Sequence, residues 1–282
     1  MKWTPGGTSQ DIEDRRGQGG GRFGGRGVGV GGLLILLVLS VVFRQNFFAL
    51  LGGTDPGAPP AGNAAPATST PEEEREVKFV SFVLDSAQSF WSRTFERAGR
   101  QYSHAKLVLF RDAVESACGM AQTASGPFYC PGDQKIYIDL GFYDELARRF
   151  GAPGEFAQAY VLAHEIGHHV QTLLGLEGKA RRLQQADPDQ ANSISIELEL
   201  QADCLAGVWG HSTAQMGILE PGDIDDGLRA AAAVGDDRLQ RQTQGYVNPD
   251  AFTHGTSAQR TQWFRRGFDS GDIASCDTFG SR

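Results

Sequence analysis

His164-Glu165-Ile166-Gly167-His168 lies inside an apolar run, with Tyr160-Val161-Leu162-Ala163 before it and Val170 after it. Residues four apart share one face of a helix, so both imidazoles can reach a single metal ion. Glu165 sits beside the first of them, where a carboxylate can take a proton from a water that the metal activates. Leu162, Ile166, Val170 and Leu173 recur at helical spacing and predict the buried face of that helix. A chance match to this pattern in a chain of this length is on the order of a one-in-a-hundred event. His169 is about a quarter turn from His168 and off the shared face, so it reads as a partly buried or solvent-facing histidine.

A catalytic zinc site takes three protein ligands and keeps one position open. Gln171 and Leu174 stand where the Gly and third His of the longer metzincin motif would be, so the third ligand must come from further on. The next acidic helical stretch is Ser195-Ile196-Glu197-Leu198-Glu199-Leu200-Gln201-Ala202-Asp203-Cys204-Leu205-Ala206-Gly207. Glu199 and Asp203 share a face of it, and Glu197 points about the other way. Leu198, Leu200, Leu205 and Val208 make this helix partly buried, which argues against a merely solvated acidic face. Glu199 is the expected third ligand. Asp203, one turn on, is expected to orient a ligand histidine through its free ring N–H, with a direct ligand role for Asp203 as the rival reading.

The segments before this core do not all read as globular. Residues 1–27 are rich in glycine and charge and are expected to be a disordered tail. Residues 28–51 hold a charge-free run from Val28 to Phe43, then Arg44, then Phe47-Phe48-Ala49-Leu50-Leu51. About 20 apolar residues cross a bilayer, so this segment is the expected single transmembrane helix, with Arg44 reaching to the interface. Arg15, Arg16, Arg22 and Arg26 precede it and only Arg44 closely follows, which predicts a cytoplasmic amino terminus and an outward-facing remainder. Residues 52–76 carry Pro56, Pro59, Pro60, Pro66, Pro71 and the run Glu72-Glu73-Glu74, and read as an extended linker. Residues 77–282 are then the catalytic domain, a length that suits one core.

Charge narrows the partners. The chain carries a formal −8, and its first 27 residues are basic, so the remainder is more acidic still. An acidic domain without a glycine-rich phosphate loop is a poor nucleic-acid binder, and none is expected as a partner. Four cysteines, Cys118, Cys130, Cys204 and Cys276, all follow the apolar segment, in a compartment where disulfides survive. Three pairings are possible. Proximity favours Cys118 with Cys130, and elimination then leaves Cys204 with Cys276.

The pattern of elements predicts an α+β fold. Lys78 to Leu84 alternates like a strand, and Asp85 or Ser86 would open a helix through Trp91 and Phe95. Lys106 to Phe110 and Gln134 to Leu140 read as two further strands, and Phe142 to Phe150 as a short helix. Pro153 or Gly154 would open the metal-binding helix, and Glu220 to Gly245 reads as helical. The strand ending at Leu140 is the expected edge of the cleft, where an extended peptide can pair with it.

The chain resembles, nearly end to end, the neutral zinc metallopeptidases of bacteria, a family of membrane-attached proteins. The resemblance rests on Met1-Lys2-Trp3, Glu13-Asp14-Arg15-Arg16-Gly17, Gly126-Pro127-Phe128-Tyr129-Cys130-Pro131 and His164 to Gln171. It continues through Glu199-Leu200-Gln201-Ala202-Asp203-Cys204, Phe252-Thr253-His254-Gly255-Thr256-Ser257 and Asp277-Thr278-Phe279. Glu199-x-x-Ala202-Asp203 is also similar to the E-x-x-A-D of membrane gluzincin proteases, which implies that Glu199 is the third zinc ligand. Those proteases carry a T-H-P segment with an arginine six residues after the histidine. Thr253-His254 and Arg260 are similar to it, with Gly255 in place of the proline, and the likeness implies a substrate-carbonyl or oxyanion role for His254 and Arg260.

The expectation is a zincin-like domain with a small mixed sheet and an active-site helix, preceded by one transmembrane helix. It would be a zinc peptidase of the bacterial cell membrane, single-pass, with the catalytic domain periplasmic or extracellular and a peptide or protein as substrate. Zn2+ would be held by His164, His168 and Glu199, with Glu165 as general base. Two alternatives stay open: an inactive zinc-containing envelope scaffold, and a zinc amidase acting on cell-wall peptides.

Overall fold

Thr70 opens the first long helix. Its hydroxyl accepts the Glu73 N–H at 3.2 Å, and the Glu73 carboxylate accepts the Thr70 N–H at 3.0 Å, a reciprocal cap. Pro71 follows at the first helical position, where its missing N–H costs nothing. The computed structural model describes residues 1–17, 69–122 and 126–280. In it, α1 (Pro71–Arg97) buries Val77, Val80, Leu84, Ala87, Trp91 and Phe95 along one stripe. That spacing is helical, and it corrects the strand expected at Lys78 to Leu84. The folded region therefore starts inside the expected 52–76 linker rather than at residue 77.

Residues 1–16 are a second correction. They belong to the same compact unit as residues 69–282, not to a disordered tail. β1 (Ile12–Asp14) pairs in parallel with β2 (Lys106–Phe110), Ile12 opposite Leu107. Trp3 packs on Phe79 with ring centroids 5.3 Å apart, and Arg16 is buried between Asp14 and Glu74. Glycine content hid a short arm whose few apolar side chains reach a core made elsewhere. The predicted span at 28–51 and the linker up to residue 68 lie outside the described residues. Among the described residues no helix is long and apolar enough to cross a membrane.

The hairpin β3 (Ala113–Ser116) and β4 (Gly119–Gln122) comes next, then β5 (Phe128–Cys130) and β6 (Lys135–Asp139). The sheet runs β1-β2-β6-β5, parallel except for β5, which is antiparallel to β6. It is a small mixed sheet, as expected. The edge beside the cleft is β5, however, and β6, the strand expected there, is interior. Successive side chains face opposite ways along a strand. Leu107, Leu109, Ile136 and Ile138 join the main core with the helices, whereas Val108, Phe110 and Tyr137 join a smaller one with Val114 and Cys130.

Helices build the remainder. α2 (Gly141–Arg148) and α3 (Glu155–Leu174) follow the sheet, and α3 begins after Gly154 as the sequence predicts. α4 (Leu176–Ala186), α5 (Ala191–Gln215), α6 (Asp223–Ala233), α7 (Asp236–Gln244) and α8 (Ser257–Ser270) complete the order. Glycines let the helices meet backbone to backbone. A Cβ on Gly167 of α3 would lie 2.9 Å from the Ala202 carbonyl oxygen of α5. A Cβ on Gly267 of α8 would overlap the Cys204 carbonyl of α5. Cys118 pairs with Cys130 and Cys204 with Cys276, as the sequence predicts.

Candidate active site

The close α3–α5 crossing sets the site. His164 and His168 project from one face of α3 toward Glu199 on α5. The two Nε2 atoms lie 3.2 Å apart, and the Glu199 oxygens lie 3.2 Å from His164 Nε2 and 3.4 Å from His168 Nε2. Three donors around a tetrahedral zinc, at bonds of about 2.0–2.1 Å, are themselves about 3.3–3.5 Å apart. The donor set and its spacing fit zinc. Among the described residues this is the group of histidine and carboxylate atoms close enough to hold a metal ion.

The electrostatics point the same way. Burial works against charge on His164, but the Asp203 and Glu199 carboxylates outweigh it and push its pKa up to about 9. Burial also opposes charge on Glu199, yet the two histidines hold its carboxyl well below the usual range. A pocket that favours positive charge among three ligand atoms favours a metal cation there.

Behind the first histidine lies a buried network. Asp203 Oδ1 accepts from His164 Nδ1 at 2.9 Å and from the Tyr160 hydroxyl at 2.5 Å. Arg260 donates Nε to Asp203 Oδ2 at 2.7 Å, Nη2 to Oδ1 at 2.9 Å, and Nη1 to the Val234 carbonyl at 3.2 Å. A bidentate fork of this kind fixes both partners. Burial disfavours charge on Asp203, and Arg260 and His164 nonetheless hold its carboxyl below the usual range. Asp203 thus lies behind His164, outside the group that His164, His168 and Glu199 form. Arg260 is 3% exposed and committed to Asp203, so its first contact is with the carboxylate that orients His164.

Glu165 lies next to His164 and opens on a cavity of about 560 Å³, which His164, His168, Glu199, His254 and Arg260 also line. His254 reaches it from the loop before α8. Asp236, the first residue of α7, accepts the backbone N–H groups of Thr253, His254 and Gly255 on one oxygen, at 2.7, 2.6 and 3.1 Å. Its other oxygen lies 3.1 Å from His254 Nδ1. That hydrogen bond outweighs burial and raises the His254 pKa above its ordinary value. Gly255 has φ +90°, which a proline cannot adopt, so the replacement of the similar proteases' proline follows from this loop's path.

Sequence reasoning missed Tyr160, Gln171, Gln201 and Asp236. Tyr160 is four residues before His164 and Gln171 three after His168, so helical spacing marks both. No local signal marks Gln201 or Asp236. His169 corrects an expectation. It is fully buried, with Nδ1 3.1 Å from the Tyr129 hydroxyl and Nε2 donating to the Ser103 carbonyl at 2.7 Å, and it ties α3 to the sheet side.

Residues 1–279 match the family described as "Putative neutral zinc metallopeptidase". The chain is 49% identical over 287 residues to the uncharacterized protein YpfJ of Escherichia coli, covering 99% of each chain. It is 47% identical over 191 residues to the uncharacterized protein Rv2575 of Mycobacterium tuberculosis, covering 64% of each. No solved structure matches it.

Proposed function

The chain belongs to the neutral zinc metallopeptidase family, and we propose that it hydrolyses peptide bonds at a zinc ion held by His164, His168 and Glu199. One observation carries this reading: ligand atoms of these three side chains converge at 3.2–3.4 Å beside an open cavity. Zinc, when bound, polarises a scissile carbonyl and acidifies a water.

The chain's own residues do the rest. Glu165, beside the ligands and facing the cavity, takes the proton from the attacking water and passes it to the leaving amine. His254, held by Asp236 with its other ring nitrogen free, donates to the carbonyl oxygen as negative charge develops there. Arg260 acts through Asp203, keeping His164 in the tautomer whose Nε2 faces the other ligands. The edge strand β5 contributes Phe128 and Tyr129 to the cavity wall, and it supplies backbone groups for an extended peptide or protein substrate.

Membrane attachment through residues 28–51 and an oxidising compartment for the domain are part of the proposal. The apolar run and the two disulfides support them. The test is metal content together with peptide hydrolysis of the purified full chain. One zinc per chain and a chelator-sensitive activity are expected. One zinc with no hydrolysis of any peptide library would turn the reading to the scaffold alternative, and no zinc would remove it.

A further inference from the structure

His164 is oriented by a charged carboxylate, but His168 has none. Its Nδ1 lies 2.9 Å from Gln171 Oε1. Gln171 Nε2 donates to the Leu198 carbonyl at 2.8 Å and to Gln201 Oε1 at 3.1 Å. Gln201 Nε2 donates in turn to the Cys276 carbonyl at 3.0 Å. Both glutamine side chains are buried, at 1% and 6% exposure.

We infer that Gln171 and Gln201 are positioning residues for the metal: a buried relay of two amides, anchored on backbone carbonyls, dictates which ring nitrogen of His168 is presented to zinc. The inference rests on the proposed zinc site and adds residues that lie outside its ligand set.

Polarity makes the relay directional. A backbone carbonyl only accepts. The Cys276 carbonyl therefore requires the NH2 end of Gln201, which leaves its oxygen facing Gln171. The Leu198 carbonyl and that oxygen together take both hydrogens of the Gln171 amide. Only Gln171 Oε1 is left for His168, and an acceptor there requires Nδ1–H. The lone pair of His168 is then on Nε2, the atom 3.2 Å from His164 Nε2 and 3.4 Å from Glu199. Turning over either amide would set oxygen against oxygen at buried side chains. The anchor is itself fixed, because Cys276 is bonded to Cys204 on α5, the helix that carries Glu199 and Gln201. Neutral partners suit this position. Glu199 would already bring a carboxylate to a bound cation, and another buried carboxylate would add an unmatched charge.

The experiment uses the full chain, zinc-loaded, with 15N-labelled histidine. Nitrogen NMR should show His168 protonated at Nδ1 and metal-bound at Nε2 in the unaltered protein. The reverse assignment overturns the inference, and this arm needs no variant to fold. In chelator competition, Gln171→Leu and Gln201→Leu should each weaken zinc binding by about 10–100-fold. The His168 Nδ1–H signal should also broaden or disappear in both, a change that loss of packing alone does not give. If both variants bind zinc as the unaltered chain does, the relay is structural filling and the inference fails. If the unaltered chain binds no zinc, the metal reading has failed instead.

Discussion

Two glutamates face the same cleft and are set different work by their surroundings. Glu199 is held ionised by two histidines whose Nε2 atoms it touches, as a ligand must be. Glu165 makes no such contact and opens on the cavity. Glu165→Gln should therefore keep one zinc per chain and lose hydrolysis by several orders of magnitude, while Glu199→Ala should lose the metal. Metal analysis beside a peptide assay separates them, and full activity in Glu165→Gln would remove the general-base role. His254 yields a prediction with a sign. Its hydrogen bond to Asp236 raises its pKa, so the imidazolium persists to higher pH than a free imidazole would. A donor of this kind is present at low pH and lost as pH rises through the raised value. The alkaline limb of kcat should lie above the ordinary histidine pKa of about 6.5. Asp236→Asn should move that limb toward acid, and His254→Ala should lower kcat about a hundredfold with zinc content unchanged. An alkaline limb that ignores Asp236→Asn would place the titrating group elsewhere.

At the scale of elements, helix crossings without side chains between them decide the geometry. Gly167 of α3 faces Ala202 of α5 so closely that a methyl group would press on the Ala202 carbonyl oxygen at 2.9 Å and its Cα at 3.1 Å. Gly167→Ala should push the helices apart, cost about 1–3 kcal/mol of stability and weaken zinc binding, because His164 and His168 ride one helix and Glu199 the other. A calorimetric melt and a zinc titration read the two effects, and an unaltered zinc affinity would show that the crossing does not set the site. The same scale explains what was legible in the chain. His164, Glu165 and His168 are local, written in one helical turn. Glu199 and Asp203 are written in a second, and buried neighbours signalled that both helices face inward. α1 is the exception, because Lys78 to Leu84 alternates and also repeats every three to four residues. The sign that settles it, Thr70 with Glu73, lies in a stretch whose prolines suggest a linker. Asp236 and Gln201 act across the fold, on a loop and on a carbonyl that the chain reaches only 18 and 75 residues later, and no window of sequence contains those pairs.

The whole molecule is constrained by its first residues. β1 is hydrogen-bonded to β2 along Ile12, Glu13 and Asp14, and the Met1 amino group lies 3.2 Å from Glu220 and 3.3 Å from Asp223. A strand and its partner lie on one side of any bilayer. Residues 28–51 are about long enough to cross a bilayer once, and one crossing would part the arm from the sheet it completes. The positive flank at Arg15 to Arg26 argues for such a crossing, with the amino terminus inside. Against it stands the pairing of β1 with β2, because the two disulfides put the domain that carries β2 in an oxidising compartment. The pairing is the stronger constraint. Its loss would leave the β2 edge open along Leu107 to Leu109. The arm and the domain are therefore expected on the same side of the membrane. Thr8→Cys in the arm and Gln262→Cys on α8 test it, since the first is exposed and the second is exposed on the far part of the chain. In intact cells both should react with a membrane-impermeant maleimide to the same extent. Labelling of Gln262→Cys with protection of Thr8→Cys, reversed on lysis, would establish the single crossing and show that β1 is not paired in the membrane-attached protein.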